Sequence, residues 1–99
     1  MIRIEVITVG VFREITRLAK FKLDIEDTPD SRITVDTVVD VLDSLYQGQI
    51  KKELYLKDDS RNQWVRILLN GWDTRFLPDS RLTVKNGDTL LIQSVLVGG

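Results

Sequence analysis

Residues 34–48 read Thr-Val-Asp-Thr-Val-Val-Asp-Val-Leu-Asp-Ser-Leu-Tyr-Gln-Gly. Apolar side chains fall at 35, 38, 39, 42 and 45. This is the i, i+3, i+4, i+7 spacing of one helical stripe. Thr34 can cap the first turn, Asp36 complements its positive end, and Gly48 offers a stop. The spacing predicts a helix over 35–47, with Val38, Val39, Leu42 and Leu45 laid on a sheet.

On either side the period is two. Residues 2–9 alternate, with Ile2, Ile4 and Val6 on one face and Arg3, Glu5 and Ile7 on the other; this reads as a half-buried strand. Gly10 offers a turn. Over 20–25, Lys20, Lys22 and Asp24 point out while Phe21, Leu23 and Ile25 point in. A hairpin over 2–25 follows, with Arg13 to Leu18 able to hold a helical turn instead. Thr28-Pro29-Asp30-Ser31 is a turn cluster. Downstream, residues 57–63 are wholly polar and read as a loop. Trp64 to Leu69 is a strand with Val65, Ile67 and Leu69 on one face and Trp64, Arg66 and Leu68 on the other. Asn70-Gly71 signals a type I′ turn into a return strand, Trp72 to Leu77, which Pro78 and Asp79 end. Lys85-Asn86-Gly87-Asp88 is a tight turn before a strongly apolar strand, Thr89 to Val97. The first and last strands are apolar enough to be central. The order gives an α+β fold: a mixed sheet of four or five strands with one main helix across one face. That is the β-grasp, or ubiquitin-like, architecture, here expected as a single domain over 1–99 with a flexible C-terminal Gly-Gly tail.

Composition narrows the chemistry. Lys+Arg number 14 against Asp+Glu 15, a net charge of −1, so there is no global basic field for nucleic acid. No apolar run approaches the roughly 18 residues of a membrane span. The opening MIRIEVITVG carries charges among its apolar residues, unlike a signal peptide. Cys and His are both 0, which removes thiolate nucleophiles, Cys- and His-ligated metals and the commonest general base. Neither a G-x-x-x-x-G-K-[ST] nor a G-x-G-x-x-G phosphate cradle occurs. The acidic pairs Asp58-Asp59 and Glu26-Asp27 sit in turn-like runs and read as solvated loop charges. Side-chain catalysis and a bound metal are not expected.

The sequence ends Val95-Leu96-Val97-Gly98-Gly99. One reading is a frayed strand end. The other starts from the carboxylate of Gly99, ionised at neutral pH with a pKa of about 3.5. A carboxylate is a poor electrophile, but its mixed anhydride with AMP can be attacked by sulfur or an amine. Threading it to the α-phosphate of ATP needs a narrow channel, which side chains at Gly98 and Gly99 would obstruct.

With these pieces in order, the sequence resembles the MoaD/ThiS family of ubiquitin-like sulfur carriers. The resemblance rests on the opening strand followed by Val11-Phe12-Arg13-Glu14, the Thr34-Val35-Asp36 helix start, and Leu69-Asn70-Gly71. Gly87-Asp88 and the terminal Gly98-Gly99 complete it, and together these span nearly the whole chain. The length and the polar loop are more similar to the MoaD branch and to archaeal small modifier proteins. Where MoaD proteins commonly carry Pro-Pro, this chain has Ser94-Val95, which leaves thiamine-type and tRNA-thiolation carriers open. The resemblance implies a cytoplasmic, non-catalytic carrier subunit that binds no cofactor itself. An E1-like partner of the MoeB/ThiF type, using ATP and Mg²⁺, would adenylate Gly99, and a sulfur donor system would convert the adenylate to a thiocarboxylate. A MoaE-type molybdopterin synthase large subunit would receive the tail, with Val95, Leu96, Val97 and Gly98 lying in the partner's channel. Two alternatives remain: a modifier joined to lysines through Gly99, and a β-grasp interaction domain with incidental glycines.

A partner surface follows from strand parity. If the helix covers Ile4, Val6, Val65, Ile67, Leu90 and Ile92, the opposite face shows Ile7, Leu68 and Leu91 near Arg66 and Trp64. Clustered apolar residues on an uncovered face mark a binding site, unless the segment 46–63 folds over them.

Overall fold

The computed structural model describes residues 1–27 and 32–94. The turn cluster 28–31 and the tail residues Val95, Leu96, Val97, Gly98 and Gly99 lie outside the described residues.

Five strands form one sheet: β1 (Ile2–Val9), β2 (Lys20–Ile25), β3 (Val65–Leu69), β4 (Trp72–Asp73) and β5 (Thr89–Ser94). Their spatial order is β2-β1-β5-β3-β4. β1 and β5 are parallel and the other neighbours antiparallel, so the sheet is mixed and the first and last strands are central, as their apolar content predicts. Helix α2 (Val35–Leu45) buries Val35, Val38, Val39 and Leu42. Ile4, Val6, Val65, Ile67, Leu90 and Ile92 share that core and are all buried, so the covered face is the one that strand parity assigned.

Thr34 caps α2 reciprocally. Its hydroxyl accepts from the Thr37 amide at 3.3 Å, and its own amide donates to the Thr37 hydroxyl at 3.1 Å. This is a capping box with Thr in place of the usual Glu or Gln. Leu45 departs from the expected stripe: it is 53% exposed. The helix ends at Leu45, and Tyr46, one residue on, packs against the core instead.

The connection between β1 and β2 holds both features the sequence offered. The strands pair as a hairpin, and helix α1 (Val11–Thr16) lies within the link. Its Phe12 is fully buried. Below it, the buried Thr8 hydroxyl meets the Thr16 hydroxyl at 3.2 Å and donates to the Leu18 carbonyl. A polar pair is thus satisfied inside the core.

Two elements differ from the sequence expectation. Residues 49–54, which carry no helical or strand period in the sequence, form helix α3 (Gln49–Leu54). Gly48, at φ 80°, reverses the chain, and the Asp43 carboxylate accepts from the Lys51 amide at 2.8 Å. Ile50 and Leu54, one turn apart, are buried in the core. The expected return strand over 72–77 stops after Asp73. Asp73 Oδ1 accepts from the Arg75 amide at 3.0 Å and starts a 3-10 turn over Thr74–Phe76. The Thr74 hydroxyl then donates to the Ile67 carbonyl at 3.0 Å, occupying the acceptor that a longer β4 would have used. No helix among the described residues is long and apolar enough to cross a membrane.

Candidate functional site

The expected tail leaves β5, which lies between β1 and β3 at the middle of the sheet. Its last described residue, Ser94, stands opposite Val65 of β3. On the other side it meets the turn from β1 into α1. Ser94 Oγ accepts from the Val11 amide at 3.2 Å. Gly10 has φ 71°, and a Cβ there would lie 2.2 Å from Ser94 Oγ and 3.2 Å from the Ser94 carbonyl. Glycine is therefore required twice, by conformation and by space. The sequence offered Gly10 only as a turn; its approach to Ser94 spans the sheet and has no local signature. A groove of about 410 Å³ opens beside this root, lined by Val11, Glu14, Glu53, Asn62, Trp64 and Ser94 among others.

The face of the sheet opposite α2 carries the other candidate residues. Register sets Ile7 beside Leu91 and Leu91 beside Leu68, so the three form one row across β1, β5 and β3. All three are half-buried. α3 packs on α2 and α1, with Ile50 and Leu54 in the helix-side core, so residues 49–54 of the segment 46–63 do not cover this row. Arg66 is exposed and pairs with Gln93 in the adjacent row. Trp64, 49% exposed, lies just before β3 and lines the groove at the tail root rather than joining the row. Val9, 40% exposed, extends the patch beside Gln93. It was missed in the sequence although it shares the parity of Ile7.

Charges bound the row at both ends. Lys20 stands beside Ile7 and Asp73 beside Leu68. Glu5, one row away, meets Lys22 at 3.1 Å and Lys20 at 3.6 Å. Its hydrogen bond to Lys22 leads in holding its carboxyl below the usual range. The Arg75 guanidinium does the same for Asp73. The arrangement is an apolar strip with a positive and a negative rim, continuous with the strand that carries the tail. It suits recognition by another protein better than chemistry on a small substrate.

No protein-family model matches this sequence, and no curated protein matches it. Solved structures do. The small archaeal modifier protein 1 of Methanosarcina acetivorans matches with a TM-score of 0.74 at 23% identity, covering 100% of this chain and 98% of its own. A chain of the BexX/CysO complex of Amycolatopsis orientalis matches at 0.67 and 24% identity, over 97% and 99%. A protein assigned as molybdopterin converting factor subunit 1 of Pyrococcus furiosus matches at 0.64 and 18% identity, over 97% and 100%. At these identities the likeness is one of fold. The chain has the β-grasp fold of ubiquitin-like proteins, from end to end of these neighbours.

Proposed function

We propose that this protein is a ubiquitin-like sulfur carrier, and that it serves molybdopterin synthesis. The observation that carries the reading is a β-grasp domain whose central strand β5 runs on into a sequence ending Gly98-Gly99. The likeness in fold to a molybdopterin converting factor subunit and to a chain of the BexX/CysO complex supports it.

In this reading the Gly99 carboxylate attacks the α-phosphorus of ATP in an E1-like enzyme of the MoeB/ThiF type, with Mg²⁺ held by that enzyme. Pyrophosphate leaves, and an acyl adenylate forms. A sulfide-level sulfur nucleophile from a donor system then attacks the acyl carbon, AMP leaves, and a thiocarboxylate results. Val95, Leu96, Val97 and Gly98 lie in the partner's channel. Ile7, Leu68 and Leu91, with Arg66 and Trp64 beside them, dock on the E1-like enzyme and on a MoaE-type large subunit. The chain itself supplies no catalytic side chain and works in the cytoplasm.

The likeness in fold to an archaeal modifier favours one second reading, in which a lysine amine attacks the same adenylate and an isopeptide bond results. Intact mass after purification from cells separates the two. The carrier is heavier by roughly 16 Da, the exchange of one acyl oxygen for sulfur. Lysine adducts bearing a Gly98-Gly99 remnant, with no thiocarboxylate, would overturn the carrier reading in favour of the modifier.

A further inference from the structure

Strand β2 forms one edge of the sheet. Its inner side is bonded to β1 through alternate residues. The Thr8 amide donates to the Ala19 carbonyl at 3.0 Å, and the register continues through Val6 with Phe21, Ile4 with Leu23 and Ile2 with Ile25. Backbone groups alternate sides along an antiparallel strand. The amides and carbonyls of Lys20, Lys22, Asp24 and, one residue on, Glu26 therefore point away from the sheet. Among the described residues no other segment is hydrogen-bonded to them. The opposite edge is closed differently: β4 has two residues, and Thr74 caps the ladder behind it. An open edge of this length is a template for another strand.

The edge reads Lys20-Phe21-Lys22-Leu23-Asp24-Ile25-Glu26. Its charges are antisymmetric about Leu23. We propose that β2 pairs antiparallel with β2 of a second copy about a two-fold axis at Leu23, making one continuous sheet.

Parity and charge select this register. The outward groups belong to even-numbered residues, so hydrogen-bonded pairs must join even to even. Axes at Phe21 and Ile25 oppose Lys20 with Lys22 and Asp24 with Glu26, like charges in both cases, which leaves Lys22, Leu23 or Asp24 within the strand. An axis at Lys22 sets that ammonium against its own copy, and an axis at Asp24 does the same with carboxylates; like charges directly opposed are unfavourable. An axis at Leu23 sets Lys22 against Asp24 and Lys20 against Glu26. The pattern extends inward. Arg3 already pairs with Asp24 at 2.7 Å, and Lys22 with Glu5 at 3.1 Å. The joint sheet therefore carries rows of alternating sign, Arg3, Asp24, then Lys22 and Glu5 of the second copy. On the helix side the rows are apolar, with Leu23 against Leu23 and half-buried Phe21 against Ile25. The contact is isologous, so it closes at two copies. Edge lysines also serve in other proteins to keep a strand unpaired, and the experiment decides between these roles.

Sedimentation equilibrium of the full chain tests it, from about 10 µM to about 1 mM, the range of small interfaces. The weight-average mass should climb from 11.4 kDa toward twice that value. Lys22→Glu and Asp24→Lys should each weaken self-association at least about tenfold. An equimolar mixture of the two should recover it, because each variant supplies the charge the other lacks. On the unsubstituted chain, exchange of the Lys22 and Asp24 amides should slow as concentration rises. A mass fixed at 11.4 kDa across the range would overturn the proposal. So would a mixture that fails to recover association, or association that leaves those two amides in fast exchange.

Discussion

Gly10 shows how a single atom decides a local structure. Gly10→Ala introduces a methyl group 2.2 Å from Ser94 Oγ, at a φ of 71°. A strained backbone of this kind costs about 1–3 kcal/mol, so urea denaturation should show a loss of that order. Placing the same substitution in a Ser94→Ala background should recover part of it, because the nearest atom is gone while the positive φ remains. A full loss in both backgrounds would mean that backbone conformation alone requires glycine. Arg61 poses the reverse problem. Its Nε and Nη2 are buried without hydrogen-bond partners among the described residues. Burial leads in lowering its pKa. Unpaired buried donors cost about 1–3 kcal/mol, so Arg61→Met should leave stability unchanged or raise it by about 1 kcal/mol. A fall of that size would show that the guanidinium has a stabilising partner.

At the level of elements, Thr34 and the uncovered face carry separable predictions. Thr34→Ala removes the hydroxyl half of the capping box and should cost about 1 kcal/mol in thermal or urea unfolding. Leu68→Asp and Leu91→Asp should cost little stability, since both side chains are half-buried on the face away from α2. Each should weaken binding to the E1-like or synthase partner at least tenfold, about 1.4 kcal/mol. A large fall in melting temperature with binding retained would move these residues out of the interface. Strong periodicity made β1, β2, β3, β5 and α2 legible in the sequence. The turn at Asn70 and Gly71 was legible for a more specific reason, since both take positive φ, 51° and 88°. What escaped was short or non-local. α3 has two anchors, Ile50 and Leu54, too few to define a period. β4 ends where the Thr74 hydroxyl takes the Ile67 carbonyl, a competition between side chain and ladder that no pattern of apolar residues records. The row of Ile7, Leu91 and Leu68 was legible because parity in three strands fixes one face, whereas the association of Trp64 with the groove beside Ser94 depends on how strand ends meet.

The whole molecule combines a β-grasp fold with a surface rich in exposed ion pairs. Glu5, Asp24 and Asp73 have pKa values lowered chiefly by hydrogen bonds from Lys22, Arg3 and Arg75. In the unfolded chain these carboxyls return to the ordinary value of about 4. The stabilisation they give is therefore present above that pH and lost as pH falls through the lowered native values. The urea midpoint should be flat near neutrality and drop below about pH 4, with a shallower drop in high salt because the pairs are exposed. A midpoint that rises on acidification would contradict this assignment of charges. In the proposed function the reacting group is the carboxylate of Gly99. ATP–pyrophosphate exchange with the cognate E1-like enzyme measures its activation directly. The intact chain should support exchange, while chains lacking Gly99, or carrying one residue after it, should fold normally and support none. Full exchange by the truncated chain would contradict the carrier and the modifier readings together.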